Sequence, residues 1–147
     1  MTQQTIQRET VKHLYHLNLS VDDLDATADW YERVFDFNEV ERGVSDDGTQ
    51  WRILRGGDAM LCCYQHSGLE VKKGPRLRAH GLHGFNHFSL RILNEAAWRE
   101  TLVREQVKIG WGGPIDYPHS RSWYVIDPTG YEIEVVLWHD DVIGFAG

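Results

Sequence analysis

Polar and apolar residues alternate strictly in two short stretches of the chain, YHLNLSV at 15–21 and NHFSLRI at 86–92. In the first, Tyr15, Leu17, Leu19 and Val21 oppose His16, Asn18 and Ser20; in the second, Phe88, Leu90 and Ile92 oppose His87, Ser89 and Arg91. A period of two predicts half-buried strands with one oily and one polar face. Each strand runs into a stretch whose apolar residues recur near a 3.6 period, which predicts a helix. In DDLDATADWYERVF the stripe is Leu24, Ala28, Tyr31 and Phe35, capped by Asp22 or Asp23. In NEAAWRETLVREQ it is Ala97, Trp98, Leu102 and Val103, capped by Asn94.

Behind the first helix, TQWRILR and AMLCCYQ are separated by Gly56, Gly57 and Asp58, the pattern of a hairpin. Behind the second, RSWYVID and YEIEVVLW are separated by Pro128, Thr129 and Gly130. Further strands are expected near 36–42 and 107–109. The same plan of strand, helix and strands is thus written twice. It predicts one α+β domain over residues 1–147, with a first module at 12–66, a connector rich in Gly, Pro and charge at 67–83, and a second module at 84–139.

Composition adds limits to this plan. A chain of 147 residues can bury somewhat under ~70% of its unfolded surface in one core. The formal net charge of −7 gives no basic field for a phosphate backbone, although Lys72, Lys73, Arg76 and Arg78 form a local basic stretch that reads as a solvated linker. No run is long enough to span a bilayer, so neither nucleic acid nor membrane is an expected partner. The opening MTQQTIQRETVK carries charges and amides where an export signal needs an apolar stretch, which makes the cytoplasm the expected location. Cys62 and Cys63 are adjacent and point to opposite faces of a strand, which suits free thiols in a reducing compartment.

The last strand places Glu132 and Glu134 opposite Tyr131, Ile133, Val135 and Leu137. If the oily faces pack on the helices, the polar faces form one concave wall carrying His16, His87 and Glu134. Two imidazoles and a carboxylate suit a ferrous, manganous or similar ion and leave positions open for substrate or dioxygen. A structural zinc site normally has four protein ligands. The recurrence of His at equivalent places in the two repeats singles these residues out.

These residues resemble the vicinal oxygen chelate superfamily, which contains glyoxalase I, extradiol dioxygenases, fosfomycin resistance enzymes and bleomycin-binding proteins. The resemblance spans Lys12 to Trp138. It is most specific in SWYVIDPTGYEIEVV, where Asp127, Pro128, Gly130 and Glu134 match the closing hairpin, and it extends to the opening YHLNLSVDDLDATADWYERVFDF. It implies paired βαβββ modules forming a cupped mixed sheet with helices outside, one divalent metal held by His16, His87 and Glu134, and a homodimer. In some members the two halves of a site come from different subunits.

Departures from the pattern sort the branches. Glyoxalase I adds a Glu on the strand that here reads AMLCCYQ, with Cys62 or a neighbour in that place. Tyr124, ten residues before Glu134, matches a substrate-facing Tyr of the extradiol and fosfomycin enzymes. The acid-base His of extradiol enzymes is missing from LCCY, which leaves His66 and His119 to move a proton. Where fosfomycin enzymes use Lys and Ser, this chain has Pro114, Pro118, His119 and Arg121. The resulting expectation is an extradiol-type enzyme acting on a small substrate with vicinal oxygens. Iron(II) is favoured over Mn(II), Zn(II) or Ni(II), with Tyr124 as hydrogen-bond donor and Arg91 and Arg121 for a carboxylate or phosphonate. The alternatives are a redox-neutral isomerase or thiol-transfer enzyme and a drug-binding protein without catalysis. His80 and His83 are minor ligand candidates, since Gly81 and Gly84 disfavour a helix there; His13 and His139 read as surface residues.

Overall fold

The computed structural model describes residues 11–82 and 84–140, so His83 lies outside the described residues. Along the chain run β1 (Leu17–Ser20), α1 (Leu24–Phe35), β2 (Asn38–Val44), β3 (Gln50–Gly56), β4 (Ala59–Gln65), α2 (Gly74–Ala79), β5 (His87–Ile92), α3 (Glu95–Arg104), β6 (Ile115–Asp116), β7 (Ser120–Ile126) and β8 (Glu132–Trp138). They form two four-stranded mixed sheets of matching order, β1-β4-β3-β2 and β5-β8-β7-β6, with the helices outside. In each, the strand that opens the repeat lies parallel to the strand that closes it. This is the paired βαβββ arrangement of the α+β class. None of the described helices is long and apolar enough to cross a membrane.

Local chemistry sets the helix starts. The Asp23 carboxylate accepts a bond from the Ala26 amide at 2.9 Å, and the Asn94 side chain accepts one from Ala97 at 3.1 Å, each satisfying an otherwise orphaned N–H of the first turn. The oily strand faces then pack against the helices. Tyr31, Leu24 and Val34 of α1 join Leu19, Leu54, Leu61 and Cys63, while Trp98 of α3 joins Trp123, Val125, Ile133 and Val135. One core serves both halves, because Phe35 of α1 stacks on Trp98 with ring centroids 5.4 Å apart. Polar ties cross the same seam: the Tyr31 hydroxyl donates to buried Asp127 at 3.1 Å, Asp22 N–H donates to Thr129 Oγ1, and the Tyr131 hydroxyl donates to the Ser20 carbonyl.

Two expectations are corrected. The segment 107–109 makes only an isolated bridge, Ile109 to Val125, and the edge of the second sheet is the two-residue β6 instead. Gln106 at φ 49° turns the chain just before this segment and Trp111, Gly112 and Gly113, all at positive φ, turn it just after, so the bridge cannot lengthen into a strand. The connector also holds a short helix, α2, begun by a Pro in its first turn and ended before Gly81, whose φ of 69° closes it.

Candidate functional site

Strand parity brings part of the expected site together on the polar face of the second sheet. β5 and β8 pair with His87 opposite Glu132 and Ser89 opposite Glu134, and β7 sets Tyr124 opposite Glu134. His87 Nε2 lies 3.4 Å from Glu134 Oε2, and its Nδ1 lies 3.6 Å from Glu132 Oε1. Glu134 is only 6% exposed. Its carboxylate is held by hydroxyls: Ser89 Oγ donates to Oε2 at 2.6 Å, Ser122 Oγ to Oε1 at 2.7 Å, and the Tyr124 hydroxyl to Oε1 at 3.4 Å. No lysine or arginine side chain pairs with it among the described residues.

Tyr124 also shares a hydrogen bond of 3.2 Å with Tyr117 and sits edge-on to the His87 ring, centroids 5.5 Å apart. Burial, the Tyr117 bond and the Glu134 charge all push its hydroxyl well above the usual phenol range. The hydroxyl therefore holds its proton more tightly than a free phenol does. Glu132 accepts a bond from the Trp111 indole N–H at 3.1 Å, which leaves its other oxygen facing His87.

His16 is placed apart from this group. It stands directly before β1, at the place relative to the first sheet that His87 holds as the first residue of β5, and is exposed with its ring edge-on to Tyr15. Among the described residues no three His, Cys, Asp or Glu side chains are gathered closely enough to hold one metal. Parity shows which face a residue occupies; it does not say which sheets come together.

The remaining candidates scatter. His66 bonds Thr49 at 3.1 Å just past the end of β4 in the first sheet and lines a recess of about 310 Å³ with Val71, Lys72 and Tyr131. His119 bonds Asp140 at 2.9 Å, and the β7–β8 register puts it five residues from Tyr124, over ~13 Å along the strand. Arg121 shares the parity of buried Trp123 and Val125, faces the helix layer, and is paired with Asp116 at 2.5 Å and Glu95 at 2.9 Å. Arg91 shares the face of His87 and is exposed. Ser89, Ser122 and Glu132 were not singled out by the sequence, although parity put all three on the polar face. Their registration with Glu134 and His87 across neighbouring strands was the missing signal.

The donor chemistry fits a divalent ion. Two ligands bonded to one ion at ~2.0–2.2 Å with a tetrahedral angle are separated by about the distance found between His87 Nε2 and Glu134 Oε2. The three hydroxyl bonds take two lone-pair sites on Oε1 and one on Oε2, fix the orientation of the carboxylate, and leave a site on Oε2, the oxygen that faces His87, out of ~four in all. A carboxylate facing His87 Nδ1 is the usual device for orienting a metal-binding imidazole. His87, Tyr124 and Glu132 form one wall of a cleft of about 810 Å³, whose opposite wall comes from the connector.

The model of the Glyoxalase/Bleomycin resistance protein/Dioxygenase superfamily matches residues 13–135. No curated protein matches the sequence. Among solved structures, the glyoxylase/bleomycin resistance protein/dioxygenase domain from Frankia sp. EAN1pec is 18% identical, covers 90% of this chain and 96% of its own, and has a TM-score of 0.75. The fosfomycin resistance protein FosX from Mesorhizobium loti is 19% identical, with 85% and 90% covered and a TM-score of 0.62. FosX from Listeria monocytogenes, crystallised with Mn(II) and sulfate, is 18% identical, with 86% and 93% covered and a TM-score of 0.62. At such identities these structures establish a shared fold.

Proposed function

The chain belongs to the Glyoxalase/Bleomycin resistance protein/Dioxygenase superfamily, and from that premise we propose that it is a metal-dependent enzyme acting on a small molecule with adjacent oxygen atoms. The ligands in this reading are His87 and Glu134 of one chain and His16 of a second copy in a homodimer. The observation that carries it is Glu134, a buried carboxylate oriented by three hydroxyls and faced by an imidazole, with no lysine or arginine to neutralise it among the described residues. Buried carboxylates are normally paired with a cation or bound to a metal.

A divalent ion bound there supplies Lewis acidity to the oxygens of a substrate. The chain itself does the rest. Ser89 and Ser122 hold Glu134 in one orientation, Glu132 turns the His87 ring, and Tyr124, whose oxygen is shared with the Tyr117 hydroxyl, can turn its one proton from Glu134 toward a substrate oxygen. Redox-neutral chemistry, an isomerisation or the opening of an electrophile, is favoured over oxidative ring cleavage, because His66 and His119, the two side chains expected to move a proton in the latter, stand outside the cleft. The Mn(II) bound by a FosX of the same fold supports a divalent ion of this kind.

Protein purified from cells is expected to retain about one divalent ion per chain, and His87→Ala or Glu134→Gln to weaken metal affinity more than the ~10–100-fold typical of an orienting partner. Unchanged metal content in both folded variants overturns the reading. Mixing subunits tests the shared site: His16→Ala and His87→Ala homodimers each lack a full ligand set, whereas their heterodimer contains one intact set and regains half the metal. No recovery after exchange rules out a site shared between subunits, and full metal content in the His16→Ala homodimer places His16 outside the site. Oxygen uptake with catechols in iron-loaded protein would restore the oxidative reading.

A further inference from the structure

We infer that the cleft is built for an amphipathic organic acid, an aromatic or bulky apolar body carrying an oxyanion, whose charged end is gripped by the connector while its other end reaches the His87 wall. This deepens the reading above and rests on it for the identity of the reactive end. The chain has fewer cationic than acidic side chains, 15 against 22, yet Lys72, Lys73, Arg78 and Lys108 all line this one cleft, against a single lining carboxylate, Glu132. Lys72 and Lys73 are engaged at 3.1 Å by Glu70 and Asp22 in half-exposed pairs, which are weak and readily exchanged. Arg78 and Lys108 have no carboxylate partner among the described residues. Lys72, Lys73 and Arg78, which read as part of a solvated linker in the sequence, thus line the cleft. This part of the connector is pressed onto the closing hairpin where the Lys73 stem crosses Gly130, a position at φ 106° where a Cβ would come within 3.1 Å of Lys73 Cδ.

The rest of the lining is apolar and aromatic. Trp111 and Phe85 line the cleft yet are 73% and 62% exposed, with Tyr117 and Tyr124 deeper in. Large aromatic rings left open to water on a concave wall gain most from an apolar ligand that covers them. Trp111 is held in place, at φ 56°, by its indole bond to Glu132. A volume of about 810 Å³ falls in the range for drug-sized ligands, well beyond the needs of acetate.

Calorimetric titration with benzoate, naphthoate and phenylphosphonate, the neutral amides of the two carboxylic acids, and acetate tests this on the full chain. Naphthoate is expected to bind at least ~10-fold more tightly than its amide, as charge-assisted bonds require, and at least ~10-fold more tightly than acetate. Arg78→Gln and Lys108→Gln should each weaken the acids several-fold and leave the amides unchanged, whereas Trp111→Ala should weaken both. Phenylphosphonate against benzoate tells which oxyanion the rim prefers. Equal affinity for acid and amide, equal affinity for acetate and naphthoate, or no saturable binding of any aryl acid overturns the inference. The same titrations in chelated protein separate it from the metal reading. Acid preference that survives chelation and is lost in Arg78→Gln upholds the cationic rim even if His87→Ala leaves metal content unchanged, and loss of the preference with an intact metal site sinks the rim alone.

Discussion

Laid over one another by their parallel strand pairs, the two sheets put His16 on His87, Asn18 on Ser89 and Cys62 on Glu134. The antiparallel neighbours continue the match, with Ile53 where Tyr124 stands and Trp51 where Ser122 stands. The frame is the same and the side chains are not. The second sheet carries a carboxylate with its hydroxyl donors, whereas the first carries, around its one imidazole, groups that neither neutralise nor orient a ligand. Cys62, at the position of Glu134, brings no comparable charge: burial raises its thiol pKa above the ordinary value, and that of Cys63 is pushed up to about 12. Under the proposed ligand set each half alone is an incomplete site, and the reading requires the polar faces of both kinds of sheet to meet.

The halves also differ in how their helices are anchored, and breaking that difference gives the largest expected effect. α1 buries Leu24, Thr27, Ala28, Tyr31 and Val34, whereas the one buried residue of α3 is Trp98. That indole meets Phe35 from the first half and Trp123 from the second. Trp98→Ala should cost ~3–5 kcal/mol, read as a fall in thermal midpoint on the order of 10 °C at ~2–4 °C per kcal/mol. A loss under 1 kcal/mol would mean that α3 is held by something other than this side chain.

Smaller effects should separate the polar faces. Ser122→Ala and Glu132→Gln remove an orienting partner of Glu134 and of His87, and each is expected to lower metal affinity ~10–100-fold with the fold intact. Cys62→Ala, the change at the position equivalent to Glu134, should leave metal affinity unaltered. If Cys62→Ala matched the other two, the first sheet would be supplying more than its imidazole, and the two polar faces would not differ in this way.

Much of this frame is legible because it is local. Alternation in LNLS and HFSLRI, the caps Asp23 and Asn94, and the hairpin at Gly57 and Asp58 each depend on neighbours a few residues away, and each appears as the sequence implies. Strand parity also sets Ser122 on the face of Tyr124 and sends Arg121 to the helix layer with Trp123. What depends on distant partners was not legible. The separation of His16 from His87, the lining role of Lys72, Lys73, Arg78 and Lys108, and the replacement of a strand at 107–109 by β6 all depend on how segments far apart in sequence meet. Trp111 adds a further reason: no propensity rule expects a tryptophan at φ 56°.

The smallest effect concerns the closing turns. In the first sheet the turn residues Gly57 and Asp58 are exposed, whereas in the second Asp127 is 4% exposed and ties the turn to α1 through Tyr31, accepting bonds from Gly130 and Tyr131 N–H at 2.8 Å with its other oxygen. Burial raises the Asp127 pKa, and the Tyr131, Gly130 and Tyr31 bonds only partly oppose this. The folded protein thus holds this proton to a higher pH than the unfolded chain does. The stabilisation from the protonated form is fully present below the ordinary aspartate value of ~3.9 and is lost as pH rises through the raised value. Asp127→Asn keeps an acceptor for the two backbone amides and a polar atom for Tyr31 but carries no titrating proton. Thermal midpoints followed upward from about pH 4 should therefore fall less in the variant than in the parent. A parent that instead gains stability relative to the variant across that window would show that the hydrogen bonds outweigh burial, and that this turn is held by a carboxylate already ionised at acid pH.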